Sequence, residues 1–300
     1  MILIDFQGGS HGNFLEMVLN SIYFGKRLDA FSQNGTSHSK PYKESDVKFL
    51  ADHHSFIIDS YYYDSISNYE AIILIHISPD DLPILQMICN LRAGNAGIDL
   101  RSVDLIKKMI SDYNQKDKTE ITHPVHKDFF NQLENWSEIQ NGQININPVR
   151  EMIKFGFRKD GNGFLEKQEQ AIINYPKDKP LIKFPFAAFY DYESFNHELT
   201  KLFTALNIDM EIPSFVWDQH QKFIQTNEAV NLLDKPRQYF DLLIQEKDVD
   251  ISDMDLYQQA YFDHLYENHY AVKAMYNHPD GNYFQTTSQV LNYVRSANGH

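Results

Sequence analysis

The architecture follows from Ile2-Leu3-Ile4-Asp5-Phe6-Gln7-Gly8-Gly9-Ser10-His11-Gly12-Asn13-Phe14-Leu15-Glu16. Residues 2–6 are apolar except for Asp5, the signature of a short buried strand, and the run stops at a glycine cluster. From Phe14 the period changes. Phe14, Leu15, Val18, Leu19, Ile22 and Tyr23 mark one helical stripe, with Glu16 and Asn20 off it. Gly25, followed by Lys26 and Arg27, predicts the helix end. The opening is therefore strand, glycine-rich turn, helix.

The same alternation recurs downstream. Residues 71–77 are a continuous Ile/Leu run of the kind buried on both faces of a parallel sheet. They end at Ser78-Pro79-Asp80-Asp81, whose side chains can cap a helix over 82–92 that closes at Gly94. Residues 180–186 read as a strand and 192–206 as an amphipathic helix carrying Phe195, Leu199, Leu202 and Phe203. A short strand is expected at 55–58, helices at 99–113 and 127–140, and an exposed loop at 31–46. Residues 154–174 are ambiguous around the turn Lys159-Asp160-Gly161-Asn162-Gly163. From Pro213 only helical patterns appear, with breaks expected near Pro236 and Pro279-Asp280-Gly281. The expectation is an α/β fold, a mostly parallel sheet with helices on both faces. An α/β anion- or nucleotide-binding domain spans 1–212, and a helical C-terminal region over 213–300 packs on it.

Composition narrows the function. The 300 residues carry 27 basic and 41 acidic side chains, a net charge of −14, which excludes a broad basic surface for nucleic acid. A hydrophobic share of 42% excludes wholesale disorder. Cys89 is the single cysteine, so no intramolecular disulfide can form and a cysteine zinc site would need three other ligand types. The longest aliphatic run, residues 71–75, is too short to cross a membrane, and the N-terminus lacks the basic region of a signal peptide. These features predict a cytoplasmic protein with no nucleic-acid or membrane partner, and they leave the oligomeric state open.

Glycine is scarce, 13 residues in all against a usual share of about 7%. Three of the 13 fall at Gly8, Gly9 and Gly12, at the carboxyl end of the first strand, where open parallel sheets bind ligands. A glycine-rich turn there leaves backbone N–H groups at a helix N-terminus, which suits phosphate or sulfate. Ser10 and Asn13 add neutral donors and His11 a charge-assisted one. The other reading is a tight strand-to-helix turn and nothing more. The spacing is not that of a nucleotide-triphosphate loop: three residues separate the outer glycines, and Asn13-Phe14 stands where Lys-Ser/Thr is required. Nor is it the dinucleotide pattern G-x-G-x-x-G.

Ile4-Asp5-Phe6-Gln7-Gly8-Gly9-Ser10-His11-Gly12-Asn13-Phe14-Leu15-Glu16 resembles the N-terminal motif of sulfotransferase-like proteins of marine bacteria and their viruses. These are distant relatives of enzymes that use PAPS (3′-phosphoadenosine 5′-phosphosulfate). Residues 71–81 with the following helix resemble the segment that holds the 3′-phosphate. The stretch Lys183-Phe184-Pro185-Phe186, continued by Phe189-Tyr190-Asp191-Tyr192-Glu193, resembles the late strand and helix entry. Together these pieces cover roughly a quarter of the chain. The resemblance implies a P-loop-like sulfotransferase topology, PAPS as donor, no metal, and a small-molecule or carbohydrate acceptor. It places Gln7, Gly8, Gly9, Ser10, Gly12 and Asn13 at the donor. The family's loop Lys is absent, leaving Gln7 and His11 nearest its place. Its 3′-phosphate Arg and Ser are replaced by Ile77 and Leu85, with His76, Ser78 and Arg92 as substitutes. Sulfo transfer needs a base for the acceptor hydroxyl and stabilisation of the leaving phosphate. His11 is the first candidate for that catalytic role and Glu16 the second.

Other clusters carry less. Asp52-His53-His54 with Asp59 offers metal-ligand chemistry, but adjacent strand histidines point to opposite faces. His123 and His126 share that weakness. Arg92, in a run of small residues, is either a bidentate phosphate ligand or a helix C-terminal charge. Arg150, Lys154, Arg158 and Lys159 form the densest basic group and are expected on a solvated face. Tyr257, Tyr261, Phe262, Tyr266 and Tyr270 have the helical spacing of core residues. Two further readings stay open. One is a nucleotide-sugar glycosyltransferase, whose Gly-Gly-x-Gly-Asn opening is one residue shorter and whose second, arginine-rich motif is missing here. The other is a non-catalytic anion-binding module that retains the fold.

Overall fold

The structure is a computed structural model that describes residues 1–7, 9–28, 47–52, 68–94, 147–159, 163–273 and 283–299. Positions 66, 101, 104, 106 and 108 are described singly, and all but 101 are helical. The loop expected at 31–46, the strand at 55–58, the helix at 127–140 and the turn at 279–281 lie outside these residues. So do Gly8, His53, His54, Asp59, His123 and His126.

The chain divides into two compact units, each built from two segments: residues 1–85 with 162–228, and residues 86–161 with 229–300. The boundary expected at 212/213 falls inside the first unit.

The first unit holds a four-stranded, all-parallel sheet of β1 (Ile2–Asp5), β2 (Phe49–Asp52), β3 (Ala71–His76) and β4 (Leu181–Pro185), in the order β2-β1-β3-β4. Register pairs Ile4 with Ala51 and with Ile73, and Ile75 with Phe184. Every residue of β1 and residues 71–75 of β3 are buried, because helices cover both sides. On one face Leu3, Ile72 and Leu74 pack against Ala171 and Tyr175, which belong to or directly follow the helix Phe164–Asn174. On the other, Phe184 meets Phe195 with ring centroids 5.7 Å apart. Strand β2 lacked a legible pattern, being four residues long and ending in Asp52. It is defined by its partner β1 and by Asn20, whose side chain donates to the Phe49 carbonyl at 2.8 Å and accepts from the Phe49 N–H at 3.2 Å.

Helix α1 (Gly12–Tyr23) is buried over most of its surface, Glu16 and Asn20 included, so it is more enclosed than one apolar stripe predicts. It ends as expected. Gly25 takes φ 63°, its N–H bonds the Ile22 carbonyl, and the Lys26 N–H reaches back to Ser21, a Schellman closure. The next helix with described bounds is α2 (Leu82–Gly94). The ambiguous 154–174 stretch resolves into α3 (Asn147–Lys159) and α4 (Phe164–Asn174), the latter entered through Gly163 at φ 65°. After β4 a 3-10 turn (Phe186–Tyr190) leads into α5 (Tyr192–Ala205), capped by Asp191 accepting from the Ser194 N–H. Then come α6 (Phe215–Thr226), α7 (Glu228–Ile244), α8 (Leu256–Tyr270) and α9 (Thr287–Ala297).

Pro236 does not break the chain as expected; it is buried inside α7. An interior proline deprives the carbonyl four residues earlier of its donor. Here that carbonyl, of Leu232, accepts instead from Gln258 Nε2 on α8 at 2.8 Å, which removes the usual penalty of an orphaned acceptor.

The second unit is helical among its described residues. Its apolar core gathers Leu243, Ile251, Met254, Phe262, Tyr266, Val272, Phe284, Val290 and Val294. Between α3 and α8 lies a buried charged seam. Arg150 and Lys154 are 4% and 0% exposed, so the solvated basic face expected from sequence is corrected for this pair. Their spacing on α3 matches the spacing of acidic and amide groups on α8. Lys154 Nζ meets Glu267 Oε1 at 2.8 Å and Glu151 Oε1 at 3.2 Å, while Arg150 Nε donates to Gln259 Oε1 at 2.9 Å. Asp263 completes the seam, accepting from Tyr283 Oη at 2.7 Å. Burial pushes its carboxyl up to about 6, against the opposing pull of Lys154 and Arg150. Bulk alone did not put these charges inside. Arg150 has an amide and Lys154 a carboxylate within hydrogen-bond reach, and Asp263 has the Tyr283 hydroxyl.

Candidate functional site

Strand order reverses beside β1: β2 lies on one side of it, β3 and β4 on the other. In open parallel sheets that reversal opens a crevice beyond the carboxyl ends of the strands. The turn joining β1 to α1 lies at this place. Gly9 is buried with φ 101°, and the Ser10 N–H closes the turn on the Gln7 carbonyl at 2.9 Å. His11 is the N-cap of α1 in the left-handed region, φ 66° and ψ 21°, a conformation in which histidine is among the better-tolerated residues. The N–H groups of Gly12 and Asn13 open the helix, where no intrahelical acceptor exists for them.

Side chains of the turn divide in their roles. Ser10 is buried and its hydroxyl donates to the Gln7 carbonyl at 2.7 Å, so that proton is engaged inside the turn. Gln7 Oε1 is buried with no hydrogen-bond partner among the described residues. Asn13 is half-buried in the first turn of α1, and Glu16, one turn further, is buried within the fold. Gly12 has a packing reason for its identity: a Cβ built there falls 2.2 Å from the Phe6 ring. Gly12→Ala therefore forces a buried ring to move. It should cost about 1–3 kcal/mol in denaturant unfolding, more than the helix propensity of alanine returns. In a Phe6→Val background, which carries a cavity cost of its own, Gly12→Ala should cost much less. An unchanged unfolding midpoint for Gly12→Ala would show that the ring is free to move aside.

His11 is the centre of the cluster. Its Nε2 lies 2.8 Å from Tyr190 Oη, at the end of the 3-10 turn after β4, and 3.4 Å from Asn227 Nδ2, just beyond α6. Its ring stacks on Phe186 (5.5 Å, 4°) and meets the Phe223 edge at 4.8 Å. Burial, and next to it the Asp81 carboxylate, hold the Tyr190 phenol well above its ordinary value, so it keeps its proton. The Asn227 side-chain N–H only donates and the Tyr190 hydroxyl can donate, so a ring with its proton on Nδ1 and Nε2 as the acceptor satisfies both neighbours.

The segment after β3 supplies a second group of residues. Ile77 is clamped by Gln168 of α4, which accepts from its N–H at 2.7 Å and donates to its carbonyl at 2.9 Å. Ser78 donates through both N–H and hydroxyl to Asp81 Oδ2, at 2.7 and 2.8 Å. The Asp81 carboxyl is raised by burial, with the Ser78 hydrogen bonds opposing. His76, half-buried at the end of β3, is lowered by burial and by Lys183, with Asp81 opposing, and is a neutral imidazole at pH 7. Arg92 lies in α2, and its side chain is outside the described residues.

The fold thus brings His11 to Tyr190 and Asn227, and Ser78 to Asp81, with the Asp81 charge felt at both His76 and Tyr190. Sequence reading assigned Asp81 only a capping role, and no part in the site to Tyr190, Asn227 or Phe223. Tyr190 and Asp81 lay inside segments already singled out. Asn227 is 216 residues from His11 and carried no local signal. Among the described residues no group of three or more His, Cys, Asp or Glu is placed to hold a metal ion, and no helix is long and apolar enough to cross a membrane. No protein-family model matches the chain, and neither any curated protein nor any solved structure is significantly similar to it.

Proposed function

We propose that the chain is a sulfotransferase-like enzyme that binds PAPS at the β1–α1 turn and moves its sulfo group to a hydroxyl or amine acceptor, with His11 as the base. The observation that supports this most directly is the Tyr190–His11 hydrogen bond beside the turn at the carboxyl end of β1. It leaves Nε2 of a histidine accepting from a hydroxyl beside a helix N-terminus. An acceptor hydroxyl that takes the place of Tyr190 gives its proton to the same nitrogen. The new bond forms between the acceptor oxygen and sulfur. The bond from sulfur to the 5′-phosphate oxygen breaks, and its electron pair leaves on that phosphate. Main-chain N–H groups at the start of α1 offset the developing charge.

One observation favours a second reading, a non-catalytic anion-binding module. The Ser10 and Ser78 hydroxyls are both engaged within the chain, and the Asp81 carboxyl adjoins Ser78, where the resemblance seats the 3′-phosphate. A carboxylate there disfavours a second phosphate.

Thermal unfolding with millimolar PAP (the desulfated product), ADP, ATP, UDP, GDP or inorganic sulfate separates these. A ligand at a hundredfold excess over its Kd stabilises by about 2.7 kcal/mol, a readily measured shift. A shift selective for PAP is the expected result. Equal shifts with ADP and sulfate favour the simple anion module, and a shift selective for UDP or GDP supports a nucleotide-sugar donor. No shift with any of them overturns the donor site.

A further inference from the structure

We propose that His220 is the positioning residue of the His11 site, holding the 3-10 turn Phe186–Tyr190 so that Tyr190 stays in hydrogen-bond register with His11. The proposal rests on His11 being the base of that site. His220 is 1% exposed, and its Nε2 lies 2.9 Å from the Phe189 carbonyl, one residue before Tyr190. A carbonyl only accepts, so Nε2 carries the proton and Nδ1 does not. Consistent with a neutral ring, Nδ1 is buried with no hydrogen-bond partner among the described residues. An unprotonated acceptor is the cheaper group to leave unsatisfied, whereas an imidazolium would bury an N–H donor there.

The same face of α6 makes two further contacts. Phe223, three residues on, packs edge-to-face on His11, and Asn227, just past the helix end, points its amide at His11 Nε2. Spacings of three and four residues place His220, Phe223 and Asn227 on one helical stripe. Phe189 itself lies against His11 with ring centroids 5.5 Å apart. Helix α6 therefore reaches the base by three routes, and His220 is the one that fixes the backbone carrying Tyr190. Around the His220 ring stand Tyr192 at 5.5 Å and Phe195 at 5.0 Å, with the Asp191 carboxylate as the charged group acting on it. Burial, the largest influence, lowers its affinity for a proton.

The test is histidine NMR on the full chain without nucleotide, the His11 signals being identified by their loss in His11→Asn. In wild type, His11 should show the Nδ1–H tautomer with Nε2 accepting. His220→Phe keeps a ring of similar size but no donor, and should move the His11 titration midpoint by about 0.5 pH unit or more and broaden its signals. His220→Gln, whose amide restores an N–H donor, should stay within about 0.2 unit of wild type. Unchanged His11 signals in His220→Phe would overturn the proposal, as would equal displacement in the Phe and Gln variants. Should His220→Phe not fold, His220→Asn withdraws the donor through its shorter reach and is read the same way. The nucleotide shifts described above are measured on wild type, so a failed donor site and a failed positioning role show up in different experiments.

Discussion

Replacing Lys154 with methionine should lower stability by about 3–5 kcal/mol, because it removes the ammonium that faces the buried Glu267 carboxylate at 2.8 Å. Lys154 is fully buried and bonds Glu267 at 2.8 Å, and Glu151, its second partner, is only partly covered. Methionine fills nearly the same volume, so the loss comes from the broken ion pair rather than from a cavity. Combining it with Glu267→Leu should recover most of the loss, since removing both members of a buried pair is often neutral or better. Urea unfolding of the two single variants and the double variant checks this. A single-variant loss below about 1 kcal/mol would mean that water reaches the seam. The expected asymmetry is the mark of a seam that sets the register of α3 against α8 without being the main source of their stability.

The second large effect is expected at His11. Its φ of 66° strains alanine, so His11→Asn is the cleaner variant: asparagine tolerates the left-handed region and has no basic nitrogen. With PAPS and a panel of hydroxyl and amine acceptors, turnover should fall by about a hundredfold to ten-thousandfold, the usual worth of a positioned base. Affinity for PAP should change little, because the phosphate contacts assigned to the main chain remain. Equal losses in turnover and affinity would recast His11 as a binding residue. Tyr190→Phe separates the two roles of the tyrosine. It keeps the aromatic wall and removes the hydroxyl, so a small change in turnover is expected if an acceptor displaces that hydroxyl.

The site was legible in part, and its legible parts share a cause. Gly9, Gly12 and His11 are legible as part of a strand-to-helix turn because such a turn is a local event written in consecutive residues. Gly12 was found for an incomplete reason: its lack of a side chain makes room for the Phe6 ring, a contact that no spacing rule reveals. Ser10 and Ser78 show the reverse limit. Sequence identifies a hydroxyl, but not that Gln7 and Asp81 engage it. Tyr190 was named without a role because nothing in the chain near residue 190 says that residue 11 is its neighbour.

By itself the sequence determined the local alphabet of this protein. Strands β1, β3 and β4 and helices α1, α2 and α5 follow from apolar period, capping residues and glycine placement, all short-range effects. What lay beyond it depended on partners far along the chain. Strand β2 exists because β1 and Asn20 supply its hydrogen bonds. Helix α7 runs through Pro236 because Gln258 satisfies the Leu232 carbonyl. Arg150 and Lys154 lie inside because α8 offers acids and amides at matching positions. In each case a polar group that would be costly to bury alone is satisfied by a distant residue, and only the tertiary structure brings that residue within reach.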